Sequence, residues 1–333
     1  MSEQNKNAGT PFLDVKDLVV EYYSDGKVIH AVNGVNLTLE RGKTLGLVGE
    51  TGAGKTTIAK SILRILPDVG AKVAGGTITL DGQDLLDLPE HEMRKIRGNK
   101  ISMIFQDPMT ALNPVQTVGD QIAEAVRLHN GGNKGEAEER AEEMLKMVGI
   151  SADRYHEYPH QFSGGMKQRV VIAIALACNP DLLLADEPTT ALDVTIQAQV
   201  LDLIGGLRKK YNTAMLLITH DMGVVATTCD NVAVIYAGNI IEYGSKEQIF
   251  DHPSHPYTIG LFGAIPSMSE DEEWLHPIDG LPPDPAALPE GCAFHPRCPY
   301  ATEECRKQPI AMQTTSDGHQ CRCCHIQQVA KGE

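Results

Sequence analysis

The sequence contains no long apolar run. Its longest, residues 170–178, has nine residues, whereas a helix needs about 20 to cross a bilayer. It also has no excess of basic residues, because 29 lysines and arginines stand against 44 aspartates and glutamates, for a formal net charge of −15. The first ten residues have neither the basic nor the apolar region of a signal peptide. We therefore expect a cytoplasmic chain that does not span a membrane and does not bind nucleic acid.

Stable disulfides are not expected in the cytoplasm, so the cysteines need another explanation. The chain has eight cysteines, and six of them lie between residues 292 and 324. The other two, Cys178 and Cys229, lie in or beside apolar stretches and are predicted to be small core residues. The clustered six are Cys292, Cys298, Cys305, Cys321, Cys323 and Cys324.

Apolar periodicity predicts an α/β protein. With 333 residues, 42% of them hydrophobic, the chain can form one large domain plus an appendage, or two modest domains. Residues 110–160 have a charged, helical pattern and are predicted to form an insertion between two parts of a sheet. Turns are predicted at Asp25-Gly26, at Asn33-Gly34 and around Gly238-Asn239. The predicted strands lie within residues 12–48, 182–185, 215–219 and 232–244.

Prolines mark a change after the last predicted strand. Residues 266–289 hold six prolines and the acidic cluster 270–273, a composition typical of a linker. His252 and His255 each stand beside a proline and are predicted to be turn residues.

Residues 49–56, GETGAGKT, match the pattern G-x-x-x-x-G-K-S/T between a predicted strand and a predicted helix. The glycines let successive backbone N–H groups point inward at phosphate oxygens. Lys55 would neutralise the β- and γ-phosphates, and the Thr56 hydroxyl would ligate Mg²⁺. The alternative is an ordinary glycine turn with a solvated lysine, which the flanking strand and helix disfavour. The residues expected to bind nucleotide here are Gly49, Thr51, Gly52, Ala53, Gly54, Lys55, Thr56 and Thr57.

Two carboxylates follow a buried strand in the stretch LLLADEP. Asp186 and Glu187 stand at the carboxyl end of that strand, where α/β sheets place their ligands. Asp186 would hold the metal, and Glu187 would act as general base on the attacking water. Alone, the pair could equally be a solvated acidic loop. Together with the phosphate loop, residues 49–56, it favours catalysis.

Residues 162–169, FSGGMKQR, lie between these two motifs, and with them the chain resembles the ATP-binding subunit of an ABC transporter. The family signature usually reads LSGGQ, so Ser163, Gly164 and Gly165 match it, while Phe162 and Met166 depart from it. A serine followed by two glycines can begin a helix and aim N–H groups at an anion. The resemblance implies that this anion is the γ-phosphate of ATP held by an opposite subunit.

Four further residues resemble family elements in the expected order. Gln106 resembles the glutamine that senses Mg²⁺ and the attacking water. Asp193 resembles the loop that signals across the dimer, and His220 the switch histidine that contacts the γ-phosphate. Tyr22 resembles the aromatic residue that stacks on adenine, with Tyr23 as the neighbouring alternative. All four stand at these positions in the sequence.

The resemblance implies a P-loop NTPase of the ABC cassette type, with a RecA-like α/β core, an antiparallel β subdomain and a helical subdomain. We expect the cassette over residues 11–250, with its helical subdomain at about 110–160, and a C-terminal extension over residues 251–333. The stretch HPYTIGLFGAIP and the cysteines after it resemble the dipeptide, oligopeptide and nickel importers.

The cysteine-rich segment, residues 292–324, resembles extensions that carry a 4Fe-4S cluster. Four nearby thiolates need a positive partner, and all-thiolate ligation suits such a cluster. The expected ligands are Cys292, Cys298, Cys305 and Cys323, with Cys324 as the alternative fourth. Zinc and unliganded surface thiols are the other possibilities.

The resemblance implies an ATPase that powers import of dipeptides or oligopeptides. Expected partners are a second ABC ATPase, which we expect to be a related paralogue in a heterodimer, two transmembrane permeases, and an extracytoplasmic peptide-binding protein. The chain would sit peripherally on the cytoplasmic face of the membrane. Import of nickel or another small solute is the alternative, and a soluble ABC ATPase outside transport is disfavoured because there is one cassette and only a short insertion.

Overall fold

The computed structural model describes residues 11–130, 133–190, 193–263 and 278–326. The acidic cluster 270–273 therefore lies outside the described residues. The strands in the described part are β1 Leu13–Ser24, β2 Lys27–Leu39, β3 Thr44–Val48, β4 Ala71–Leu80, β5 Gln83–Asp84, β6 Ile101–Ile104, β7 Leu182–Asp186, β8 Ala214–Ile218, β9 Asn231–Tyr236, β10 Asn239–Ser245, β11 Gln313–Thr314 and β12 Gln320–Cys321.

Helices vary from four to 18 residues. They are α1 Lys55–Leu63, α2 Glu90–Ile96, α3 Pro108–Ala111, α4 Val118–Asn130, α5 Lys134–Met147, α6 Gly164–Leu176, α7 Val194–Tyr211, α8 Met222–Thr228, α9 Lys246–Asp251, α10 Pro256–Gly263 and α11 Glu303–Lys307. Nowhere in the described ranges is a helix both long enough and apolar enough for a bilayer crossing.

The chain forms two compact units. The first comprises Met1–Thr38, Leu45–Leu86 and Thr219–Glu333, and the second Leu39–Thr44 and Asp87–Ile218.

The first unit contains two sets of paired strands. One is an antiparallel sheet in the order β2-β1-β4-β5, with a buried face that includes Val15 and Val20. In the other, β3 pairs in parallel with β9, and β9, β10, β12 and β11 follow as antiparallel neighbours. Because Glu242 of β10 pairs with Cys321 of β12, the cysteine-rich segment is an edge of this strand set.

The second unit is built on the parallel strands β6, β7 and β8. Every residue of these strands is buried, as expected for strands covered on both faces. Helices α4 and α5 fill the predicted helical insertion. The second of them begins with a capping box, in which Asn133 accepts from the Glu136 N–H and the Glu136 carboxylate accepts from the Asn133 N–H.

The local expectations are largely confirmed, with two corrections. Asp25-Gly26 is a tight turn with both φ angles positive, as a hairpin between right-twisted strands requires. The prediction of a turn at Asn33-Gly34 is wrong. Strand β2 continues through these residues, with Gly34 at a φ of 72°. The turn between β9 and β10 is Ala237-Gly238, one residue earlier than expected.

Candidate functional site

The phosphate loop connects β3 to α1 in the first unit. Gly54 has φ of 104°, and a Cβ there would collide with the carbonyl oxygen of Ala31. Only glycine fits at this point, so the loop can turn sharply into the helix. No side chain caps the helix N-terminus at Gly54. The arrangement leaves the start of α1 suited to an anion.

Lys55 is folded back over this loop. Its Nζ donates to the carbonyl oxygens of Gly49 at 2.6 Å and Glu50 at 2.9 Å, and the residue is 7% exposed. These two bonds hold the ammonium group against the backbone of the phosphate loop. Thr56 and Thr57 follow it at the start of α1, and both are half-buried.

Two other predicted residues lie in the first unit. The Tyr22 hydroxyl is 3.3 Å from the Thr57 hydroxyl, so this tyrosine reaches the phosphate-loop helix. Tyr23 is 47% exposed and donates to Glu21 instead, at 2.6 Å. His220 is exposed and directly precedes Asp221, whose side chain caps α8.

The acidic pair ends β7 in the second unit. Asp186 is 2% exposed, whereas Glu187 is half-buried. The Glu187 carboxylate Oε2 accepts from Gln106 Nε2 at 2.8 Å and from Thr190 Oγ1 at 2.9 Å. Its backbone is left-handed, with φ of 48°, a strained conformation of the kind found at functional sites. The structure thus brings together the predicted base and the predicted glutamine.

The signature residues begin α6 in the same unit. Ser163 is the N-cap, its Oγ accepting from the Met166 N–H at 3.4 Å, and Ser163 and Gly164 are exposed. Phe162, which departs from the family consensus, is 5% exposed, with the Arg154 guanidinium 4.3 Å from its ring centroid. The departure supplies an anchor for the loop and leaves the helix N-terminus accessible.

Sequence reasoning missed one residue that links the signature helix to the acidic pair. Gln168 is 2% exposed, and its Nε2 donates to the carbonyl oxygen of Pro188, immediately after Glu187. It lies one turn into α6, two residues after the five signature positions, so the signature itself did not single it out. Asp193 accepts from the Ile196 N–H at 3.0 Å and so caps α7, a helix-capping role within its own chain.

Five of the six clustered cysteines line one small pocket in the first unit, together with Phe294, Ile310 and His325. The Cys305 and Cys324 sulfurs are 3.5 Å apart, and both lie within 4.8 Å of a His325 ring nitrogen. Cys321, which is not among the expected ligands, is buried in β12 and is not among the lining residues. The cysteines of this pocket, called the cysteine pocket below, are Cys292, Cys298, Cys305, Cys323 and Cys324.

Burial and neighbouring groups shift the pKa values of the thiols in this pocket. Burial, with smaller contributions from the neighbouring thiolates, raises the pKa of Cys298 to about 11. Burial and the neighbouring thiolates likewise raise the pKa of Cys323. Burial also acts to raise the pKa of Cys305, but hydrogen bonds involving Thr302 and Cys324 outweigh it and lower the value. Thiolates that repel one another in a buried pocket are stabilised by a metal cation, so the donor set fits one.

Cys178 and Cys229 are 8% and 4% exposed, which confirms them as core residues. His255 lies in a bend directly before α10, in keeping with the predicted turn. It is also 2% exposed, its Nδ1 accepts from the Tyr257 N–H at 3.0 Å, and its ring lies beside that of Phe294. The sequence did not predict this burial.

Two family profiles match the chain. The profile described as ABC transporter matches residues 32–190. The profile described as oligopeptide/dipeptide transporter, C-terminal region, matches residues 241–305.

Full-length relatives are similar over nearly the whole chain. The oligopeptide transport ATP-binding protein OppD of Haemophilus influenzae is 50% identical over 95% of this chain and 97% of its own length. The dipeptide transport ATP-binding protein DppD of Bacillus subtilis is 49% identical over 93% of each chain. OppD of Escherichia coli is 49% identical over 89% of this chain and 88% of its own.

Solved structures share the cassette fold. The dimeric post-hydrolysis state of the ATP-binding cassette MJ0796 bound to ADP and Pi aligns at a TM-score of 0.64 and 29% identity, over 70% of this chain and 98% of its own. CbiO1 from Clostridium perfringens, part of an ABC transporter complex, aligns at 0.62 and 28% identity, over 73% of this chain and 92% of its own. The expected α/β P-loop cassette is confirmed. The chain belongs to the family of ABC transporter ATP-binding proteins, in the group that carries the oligopeptide/dipeptide transporter C-terminal region.

Proposed function

We propose that this chain is the ATP-hydrolysing subunit that powers import of dipeptides or oligopeptides through an ABC transporter. The observation that carries the hydrolytic part is the Glu187 carboxylate, held by Gln106 and Thr190 at the end of a buried strand in a chain with its own phosphate loop. The names of the relatives support peptides as the cargo, and they do not favour nickel or a function outside transport.

The nucleotide is proposed to bind through the phosphate loop. Backbone N–H groups at the start of α1 contact its phosphates, and Lys55 pairs with the β- and γ-phosphates. Tyr22 stacks on the adenine. The loop residues of this proposal are Gly49, Thr51, Gly52, Ala53, Gly54, Lys55, Thr56 and Thr57.

Hydrolysis then depends on Glu187. Its carboxylate takes a proton from the attacking water, while Gln106 and Thr190 hold the carboxylate in position by donating to the same oxygen. His220 contacts the γ-phosphate. Oxygen donors for Mg²⁺ come from the Thr56 hydroxyl, the Asp186 carboxylate and the Gln106 amide, and Mg²⁺ when bound neutralises phosphate charge.

The signature residues are proposed to serve a second subunit. Ser163, Gly164 and Gly165 present the N-terminus of α6 to the γ-phosphate of the opposite subunit's ATP, and Asp193 lies at the same dimer face. A related paralogue in a heterodimer is the proposed second ATPase. Closure of the pair drives two transmembrane permeases fed by an extracytoplasmic peptide-binding protein, with this chain peripheral on the cytoplasmic face.

The extension over residues 251–333 is proposed to hold a 4Fe-4S cluster. Cys292, Cys298, Cys305 and Cys323 would ligate it, with Cys324 as the alternative fourth ligand because its sulfur also reaches Cys305. The support is the all-cysteine donor set converging on one buried pocket, which also suits zinc. Such a cluster supplies a covalent cross-link and one-electron chemistry.

Co-purification tests the transport assignment. Tagged protein purified from its native cells should bring down integral membrane permeases. These should stay bound through a wash with mild detergent that contains no ATP. Recovery of ribosomes or DNA instead of permeases would overturn the assignment.

Metal analysis tests the cysteine pocket. Protein purified without oxygen should contain iron and sulfide in equal amounts and absorb visible light. Cys298→Ser should lose both, while Cys229→Ser, in the core, should keep them. A colourless wild type loaded with zinc would remove the iron-sulfur proposal.

A further inference from the structure

The extension contacts the phosphate loop at Glu50. The Glu50 carboxylate accepts from both terminal nitrogens of Arg297, at 2.8 Å for Nη1 to Oε2 and 3.1 Å for Nη2 to Oε1. The Arg297 side chain is 5% exposed and that of Glu50 27% exposed. A bidentate, largely desolvated pair of this kind fixes geometry as well as charge.

The backbone of the same residue is held as well. The Glu50 N–H donates to the Tyr257 hydroxyl at 2.9 Å. The Glu50 carbonyl oxygen accepts from Lys55 Nζ at 2.9 Å. The residue that the extension holds is therefore the residue that positions the phosphate-binding lysine.

The extension side of this contact is buried and packed against aromatic rings. Tyr257 and Phe294 are buried, and their ring centroids lie 4.6 and 5.2 Å from that of Tyr236 in β9. Arg297 donates a further bond to the Asp279 carbonyl oxygen at 2.9 Å. It also directly precedes Cys298 of the cysteine pocket, so order in that pocket bears on the position of its side chain.

We infer that the C-terminal extension clamps the phosphate loop of its own chain, with Arg297 as a positioning residue that acts on Lys55 through Glu50. The inference rests on the proposed function in one respect, that the loop binds ATP. It predicts that ATP affinity depends on a segment far outside the cassette motifs, and that disorder in the cysteine pocket lowers that affinity.

The test measures the ATP dissociation constant of the full-length chain by titration calorimetry. Arg297→Gln should weaken ATP binding about tenfold. Arg297→Lys keeps the positive charge but cannot make the bidentate contact with Glu50, so it should recover part of the loss. Arg306→Gln is the matched control, because Arg306 lies on the same extension with its side chain 57% exposed and a long, 3.9 Å ion pair to Glu303. It should bind ATP like the wild type.

A double-mutant cycle separates the clamp from general destabilisation. Glu50→Gln should weaken ATP binding as Arg297→Gln does, and the double variant should bind no more weakly than the worse single variant. Thermal unfolding shows which variants are folded, and if Arg297→Gln is not, the Glu50→Gln and Arg297→Lys affinities decide. Wild-type affinity in folded Arg297→Gln, or additive losses in the cycle, would overturn the clamp and leave the proposed function standing. A wild type that does not bind ATP would instead overturn the proposed function.

Discussion

Replacing Glu187 by glutamine removes the proposed base while preserving its surroundings. The bonds from Gln106 Nε2 and Thr190 Oγ1 both end on Oε2 of Glu187. A glutamine whose carbonyl oxygen takes that place accepts both bonds, so the change removes the basicity of the side chain and keeps these two contacts. Loss of a general base lowers a rate by about 10²- to 10⁴-fold, or about 3 to 5 kcal/mol in activation free energy.

Thr190→Val serves as the graded comparison. It removes the Thr190 bond to the carboxylate and leaves the carboxylate in place. Losing one such bond at a half-buried group costs about 1 kcal/mol, which corresponds to a roughly fivefold lower kcat.

One assay measures phosphate release by the subunit assembled with its partner ATPase and permeases. A second measures ATP-dependent dimer formation from the molecular size of the complex. Glu187→Gln should bind ATP with wild-type affinity, form a long-lived closed dimer and lose turnover. Turnover near that of the wild type in this variant would refute the assignment of the base.

Three further predictions concern the loop and the fold. Gly54→Ala should abolish ATP binding, measured by calorimetry, because Gly54 has a φ of 104° and a Cβ there collides with the Ala31 carbonyl oxygen. Gly205→Ala, on an open helix surface, should stabilise the fold by about 0.5 to 1 kcal/mol, measured by denaturant unfolding. Burial lowers the pKa of His255 to about 4 from 6.5, so the unfolded chain takes up this proton first, and the fold should lose about 3 kcal/mol as pH falls from 6.5 to 4. His255→Asn should flatten that part of the pH profile of unfolding free energy, and His252→Asn should not; equal slopes in both variants would contradict the account of His255.

The sequence was most informative where chemistry requires neighbouring residues. The phosphate loop, the acidic pair and the signature each occupy a few consecutive positions, so their spacing alone predicted the strand, loop and helix order that the structure has. The cysteine pocket was predicted from clustering for the same reason. Their proposed roles in binding and catalysis stay predictions.

What the sequence did not reveal depends on contacts between distant positions. Glu50 occupies a variable position of its motif, and Arg297, its partner, is 247 residues away. The strand β4 was missed because its stability comes from pairing with β1 along almost its whole length. At Asn33 the local turn signal was overridden, because its side chain and backbone bind the distant Ala237-Gly238 turn.

The central claim is that ATP hydrolysis at this chain's site powers peptide import. The most direct measurement is uptake of a labelled dipeptide or short oligopeptide into proteoliposomes that contain the permeases, both ATPases and the binding protein. With MgATP on the ATPase side, uptake should exceed the ATP-free level and should vanish with Glu187→Gln. Peptide uptake that is unchanged by ATP, or that persists in that variant, would contradict the account.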